Sequence, residues 1–171
     1  MKQFIILLVV ILEISLSQQT QDGIPFSRTH DLMTSYHTIT LPQIDNNILL
    51  NEDSQKPSIG IPYRYGFTHE GNYSPKNSGT WDKLSDGGIL WRVCFISEDA
   101  YALSFEYENL YIPKGSELFI YTPNYEMIYG SYTHLNNTES KIFATPLIKG
   151  DTAFIEYYQP ANVIGEFSLV V

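Results

Sequence analysis

A chain of 171 residues with one cysteine, Cys94, has no partner for a disulfide within a monomer, so its stability has to come from packing rather than covalent staples. Positive charge is also scarce: 10 Lys and Arg stand against 19 Asp and Glu, a formal net charge of −9. Nucleic-acid binding draws on basic patches, so this balance argues against it; the acidity mainly favours solubility. After the first residues no apolar run approaches the ~20 residues a membrane-crossing helix needs.

Catalytic spacing is missing as well. The four histidines, His30, His37, His69 and His134, are not spaced as a metal pair. HEGNY (69–73) begins like a zinc-protease helix, but Tyr73 stands where the second histidine must be one turn on. No acidic loop has the ligand order of a calcium hand. LSDGG (84–88) holds the letters of a serine nucleophile turn in the wrong order; a trypsin-like enzyme needs Gly-Asp-Ser-Gly-Gly to set the hydroxyl beside its oxyanion-hole amides. The plain reading of LSDGG is a tight turn. Catalytic residues, metal ligands and cofactors are therefore all read as none.

What is present begins with a leader. Lys2 precedes an apolar run from Phe4 to Leu16, and Ser15 and Ser17 put small residues at the two positions a signal peptidase reads. Residues 1–17 are read as a signal peptide cleaved between Ser17 and Gln18. A membrane anchor fits less well, because the run is short and Glu13 interrupts it. The exported chain of about 150 residues suits one domain with a real core, destined for the periplasm or the extracellular space and not for a membrane.

Aromatic residues are plentiful, with 13 Tyr and 9 Phe, which suits pleated, half-buried surfaces. Residues 18–57 are polar and weakly patterned, an extended, loop-rich lead-in in which only Tyr36 to Leu41 has strand character. Residues 58–171 are patterned more sharply. IPYRYGF (61–67) is a candidate strand. GILWRVCFIS (88–97) is apolar throughout, as in a central strand covered on both faces. YALSFEYENL (101–110) alternates, with Tyr101, Leu103, Phe105 and Tyr107 on one side. SELFIYT, MIYGSYT, KIFATPL, TAFIEYYQ and GEFSLVV follow, separated by turn chemistry such as Asp86-Gly87-Gly88 and Pro113-Lys114-Gly115. Roughly eight or nine short strands with turns every 8–12 residues predict an all-β fold, an antiparallel β-sandwich or jelly roll. The leader is the only convincing helical stretch.

Among side chains that could bind, Cys94 reads as a small buried core residue, although Arg92 shares its face in an extended strand. Trp81, Trp91, Tyr111, Tyr125, Tyr129 and Tyr132 could form a sugar-stacking platform or could be core. The sequons at Asn72 and Asn136 matter only in a host that glycosylates them. GEFSLVV (165–171) directs Phe167, Leu169 and Val171 to one face, and the strand is expected to be paired on one side and open on the other. Chain ends usually fray in polar residues, so the natural chain is expected to continue beyond Val171.

Several blocks carry a resemblance: LPQID (41–45), PYRYG (62–66), NSGTW (77–81), DGGILWR (86–92), IPKGSELFIY (112–121), FATP (143–146) and GDTAFIEYYQP (150–160). In this order and spacing, over some three quarters of the chain, they resemble the N-terminal pro-region of secreted bacterial trypsin-like serine endopeptidases of the lysyl endopeptidase type. Ser97 to Ala100 departs from that pattern in being more acidic. The resemblance implies a non-catalytic pro-domain, monomeric, that assists folding of a protease or inhibits it. Its partner would be a catalytic domain in cis, C-terminal to Val171. A stand-alone secreted carbohydrate- or surface-binding module is the alternative that the residues leave open.

The leader gives the first prediction. The intact mass of the protein recovered from the exported fraction should correspond to a chain beginning at Gln18; a mass retaining residues 1–17 would make the apolar run an anchor.

Overall fold

The computed structural model describes residues 22–30, 32, 36–55, 60, 62 and 64–171. The leader and its cleavage point at Ser17 and Gln18 lie outside the described residues. The elements in chain order are α1 (Phe26–Thr29), β1 (His37–Thr40), α2 (Asn46–Gln55), β2 (Thr80–Lys83), β3 (Ile89–Ile96), β4 (Ala102–Leu103), β5 (Glu106–Tyr111), β6 (Glu117–Tyr121), β7 (Ile128–Tyr132), β8 (Phe143–Ala144), β9 (Ile148–Lys149), β10 (Thr152–Gln159) and β11 (Ser168–Val170). The fold is all-β and sandwich-like.

The apolar run of β3 forms the spine of the main sheet, whose order is β1-β3-β10-β6-β7, with β2 pairing to β3 beside β1. β10 is antiparallel to β3 over the whole of its length, from Thr152 opposite Ile96 to Gln159 opposite Ile89. Alternation then sorts side chains to two faces. Trp91, Val93 and Phe95 of β3 lie on the inner face with Ala153, Ile155 and Tyr157 of β10 and Leu118 and Ile120 of β6. Against them stands a second layer, β11-β5-β8, which contributes Tyr107, Leu110, Phe143 and Leu169, together with Phe105 and Phe167. Trp91 and Tyr157 are fully buried, and truncating either to alanine costs about 3–5 kcal/mol on cavity grounds.

The terminal strand is tied in by an aromatic stack: the Phe167 and Tyr157 rings lie 3.7 Å apart and 4° from parallel. Its second side is not open along its whole length. Val171 and Tyr73 exchange two backbone hydrogen bonds, Tyr73 N–H to Val171 at 3.2 Å and Val171 N–H to Tyr73 at 2.9 Å.

Other sequence expectations shift. Eleven strands occur among the described residues rather than eight or nine, because short pairs such as β4 with β9 and β5 with β8 are separate ladders. The alternation from Tyr101 breaks between β4 and β5, and Tyr101 is 87% exposed at a turn. Of IPYRYGF, Pro62 and residues 64–67 have no regular structure; Ile61 and Tyr63 lie outside the described residues. The polar lead-in holds β1, parallel to β3, and the helix α2. Asp45 caps α2, its carboxylate accepting from Asn47 N–H at 2.8 Å. No residue of α2 is buried, so it has no apolar stripe that periodicity could reveal.

Buried acids make the fold sensitive to alkali. Burial pushes the Cys94 thiol up to about 11, against a hydrogen bond from Thr38 that lowers it. Burial likewise raises the Tyr132 and Tyr157 phenols to about 12 and lifts Tyr107 and Tyr121 further. Each folded-state value lies above its unfolded one, about 8.5 for Cys and 10 for Tyr. The stability these groups contribute is complete below those unfolded values and is lost as pH rises through the folded ones. The urea midpoint should therefore fall progressively above about pH 9. Absorbance of phenolate should rise in two stages, exposed tyrosines first and buried ones with unfolding. One smooth titration near pH 10 with an unchanged midpoint would contradict the burial.

Candidate functional site

Two places on the main sheet combine polar groups with aromatic walls. The first is a groove of about 330 Å³ beside the terminal strand, lined by Pro75, Lys76, Trp81, Ile89, Gln159 and residues 165–167. NSGTW builds its wall. Asn77 Oδ1 accepts from Ser74 N–H at 2.8 Å, and Asn77 Nδ2 donates to the Asn72 carbonyl at 2.7 Å, which fixes the turn into β2. Gly79 has φ +81°, and a Cβ there would lie 2.2 Å from Trp91 Nε1, so only glycine fits. Trp91 is buried and donates to the Ser78 carbonyl at 2.8 Å.

Trp81 is 43% exposed, with its Nε1 donating to the Pro75 carbonyl at 3.0 Å. Its ring meets Tyr157 edge-on at 6.3 Å. Tyr157 donates to Gln159 Oε1 at 2.6 Å, and Gln159 Nε2 donates to the Val163 carbonyl at 3.0 Å, which holds the far wall. Lys76 and Glu166 meet across the rim at 3.4 Å, both largely exposed, a pair worth little to stability. An indole face between one cation and one carboxylate suits an apolar side chain or a sugar ring.

The second place is the outer face of the same sheet. Arg92 on β3 and Glu156 on β10 are cross-strand partners there, and both are buried. They do not satisfy each other. Arg92 Nη2 donates to Asp82 of β2 at 2.5 Å, and Arg92 Nε has no partner among the described residues. Glu156 accepts from Ser27 N–H at 3.1 Å, from the Ser27 hydroxyl and from the Tyr121 hydroxyl at 2.8 Å. Burial, with the Glu156 carboxylate beside it, holds the Tyr121 phenol far above its usual range. Tyr125 stacks on Tyr121 with centroids 4.8 Å apart. Cys94 lies on this face as well, buried, beside Phe119, Tyr121 and Phe154.

The six aromatic residues named from sequence as one surface are dispersed, and Trp91 is buried in the core. Trp81 lines the groove. Tyr132 is 1% exposed, in the core between the layers, and cannot stack on a ligand. Tyr125 is on the outer face, and Tyr129 donates its hydroxyl to the Leu147 carbonyl at 3.0 Å on edge strand β7. Four strand spacings separate β2 from β7, about 19 Å. Tyr111 is exposed on β5 in the other layer. Sequence reasoning missed Glu156 and Ser27. The available signal was the lone carboxylate within TAFIEYYQ, a run otherwise fit for full burial.

The histidines are scattered: His30 stacks on Phe26, His37 Nδ1 accepts from Gly79 N–H at 3.0 Å, His69 meets Phe67 edge-on and His134 opens a 3-10 turn. No family model matches the chain, and no solved structure matches it.

The two tryptophans offer a direct check of the groove. Acrylamide should find one accessible and one protected emitter, and Trp81→Phe should remove the accessible one, leaving the blue-shifted emission of Trp91. Equal quenching of both would place Trp91 at the surface.

Proposed function

We propose that this chain is the non-catalytic N-terminal pro-domain of a secreted serine endopeptidase precursor, assisting the folding of a protease domain or inhibiting it. What supports the reading is where the resembling blocks fall. NSGTW and DGGILWR build the turns into β2 and β3, IPKGSELFIY builds β6 and its approach, FATP includes β8, and GDTAFIEYYQP is β10. LPQID leaves β1 with Leu41 N–H bonded to the Ile96 carbonyl at 2.8 Å. Four of the seven blocks thus lie in or lead into strands of the main sheet and FATP in the second layer, while LPQID and the described residues of PYRYG lie in irregular chain.

In this reading the parent is a trypsin-like, lysyl-specific endopeptidase whose catalytic domain follows in cis. The domain acts by binding, with energy from apolar area and strand edges. Its export follows from the leader. A stand-alone secreted module that binds carbohydrate or a surface is the second reading, and the exposed Trp81 in its groove favours it.

The reading frame and one refolding assay separate the two. For a pro-domain, Gly-Asp-Ser-Gly-Gly occurs within a few hundred residues downstream. The purified domain alone turns over neither casein nor a lysyl-peptide ester. Added in trans, it inhibits the protease or raises its refolding yield. A stop codon directly downstream, or a protease indifferent to the domain in both assays, overturns the proposal. Retention on insoluble polysaccharide that Trp81→Ala abolishes would establish the module instead.

A further inference from the structure

We infer that the outer face of the main sheet is a peptide-binding site, occupied within the chain by residues 25–28 as a displaceable plug. The ligand it recognises is a short segment carrying an aromatic ring, a small hydroxyl and a cation in succession. The inference is independent of the pro-domain reading.

The contacts have the character of a bound ligand rather than an integral strand. The backbone bonds of α1 stay within the segment, Arg28 N–H to Pro25 and His30 N–H to Phe26. Among the described residues, the sheet receives this segment through side chains and one N–H. Phe26 stacks on Tyr158 with centroids 4.7 Å apart. Ser27 gives both its N–H and its hydroxyl to Glu156. The Ser27 hydroxyl also lies 3.0 Å from the Tyr121 hydroxyl and 3.2 Å from that of Tyr125. Arg28 sits over the Tyr125 ring at 5.7 Å, within cation–π range. Each of three successive side chains thus has its own receptor group: a ring, a carboxylate flanked by phenols, and an aromatic face.

The receptor side is arranged for this before the segment arrives. Phe154, Glu156 and Tyr158 alternate along β10, and Phe119 and Tyr121 lie beside them on β6, so sheet register alone fixes their spacing. The unbonded Arg92 Nε adds a buried donor on the same face. A carboxylate that draws its hydrogen bonds from a serine, although an arginine is its cross-strand neighbour, is available to whichever segment brings the donors.

The test uses the full chain with a specific protease site inserted between His30 and Tyr36, in the linker to β1. After cleavage the protein is mixed with an excess of a fluorescent peptide of residues 22–30, and anisotropy follows its uptake. The expected result is saturable binding to the cut protein and none to the uncut one. A peptide with Ser27→Ala should bind at least tenfold more weakly, because a charge-assisted hydrogen bond is lost, and one with Arg28→Ala about two- to fivefold more weakly, because an exposed cation–π contact is lost. These substitutions are in the peptide, so they cannot disturb the fold. Three results overturn the inference: cleavage that unfolds the sheet, by far-ultraviolet circular dichroism; no exchange of the cut segment for labelled peptide within a day; or equal binding of the wild-type and Ser27→Ala peptides.

Discussion

A carboxylate buried without a bonded cation among the described residues constrains the segments around it. Glu156 is 0% exposed in the middle of β10. A buried charge left unpaired costs several kcal/mol, so donors have to be brought to it. Tyr121 supplies one from the adjacent strand, and Ser27 supplies two from 129 residues away in the chain. Glu156 therefore accounts for the path of the lead-in: residues 23–30 fold back over a sheet face that would otherwise be wet. Gly23 follows from the same closeness, since a Cβ there would meet the Phe119 ring at 2.9 Å.

The sheet is thus covered on both sides by different means. On the inner face the cover is a second β layer with aromatic packing, in which Phe167 stacks on Tyr157 and meets the Trp91 ring at a tilt. That contact is large, apolar and non-directional, and it supplies most of the stability. On the outer face the cover is a thin segment held by directional contacts. Asp82 belongs to the same face, because without it the buried Arg92 guanidinium would be a second uncompensated charge there.

The contrast explains what could be read from the sequence. β3, β6 and β10 were legible because strands buried on both faces are near-continuous apolar runs, and Asp86-Gly87-Gly88 marked the turn into β3. β11 was legible from its alternation, and Phe167 and Leu169 do point inward. β1 was visible only as a short pattern, since Ile39 is its one buried side chain. α2 was invisible because all its side chains keep contact with water and its start depends on Asp45, read as part of a loop. Of the aromatic set, Trp81 lines the groove while Tyr132 is core, because composition cannot separate a core tyrosine from a side chain that binds. The outer-face site was hidden for a different reason: Ser27 and Glu156 are adjacent only through the fold, and neither has a local pattern.

The two sites differ in what they ask of a partner. The groove at Trp81 has a solvated charged pair on its rim, so it discriminates mainly by shape and apolar contact. The outer face buries its polar groups, and a segment lacking the hydroxyl or the N–H leaves Glu156 unsatisfied, which penalises wrong partners more than it rewards the right one. Specificity therefore belongs to the outer face. A protein that keeps such a face covered by its own lead-in links exposure of that face to whatever moves or cuts the residues before β1. β1 itself stays paired with β3 through four residues in register, so the sheet has its own anchor when the cover leaves.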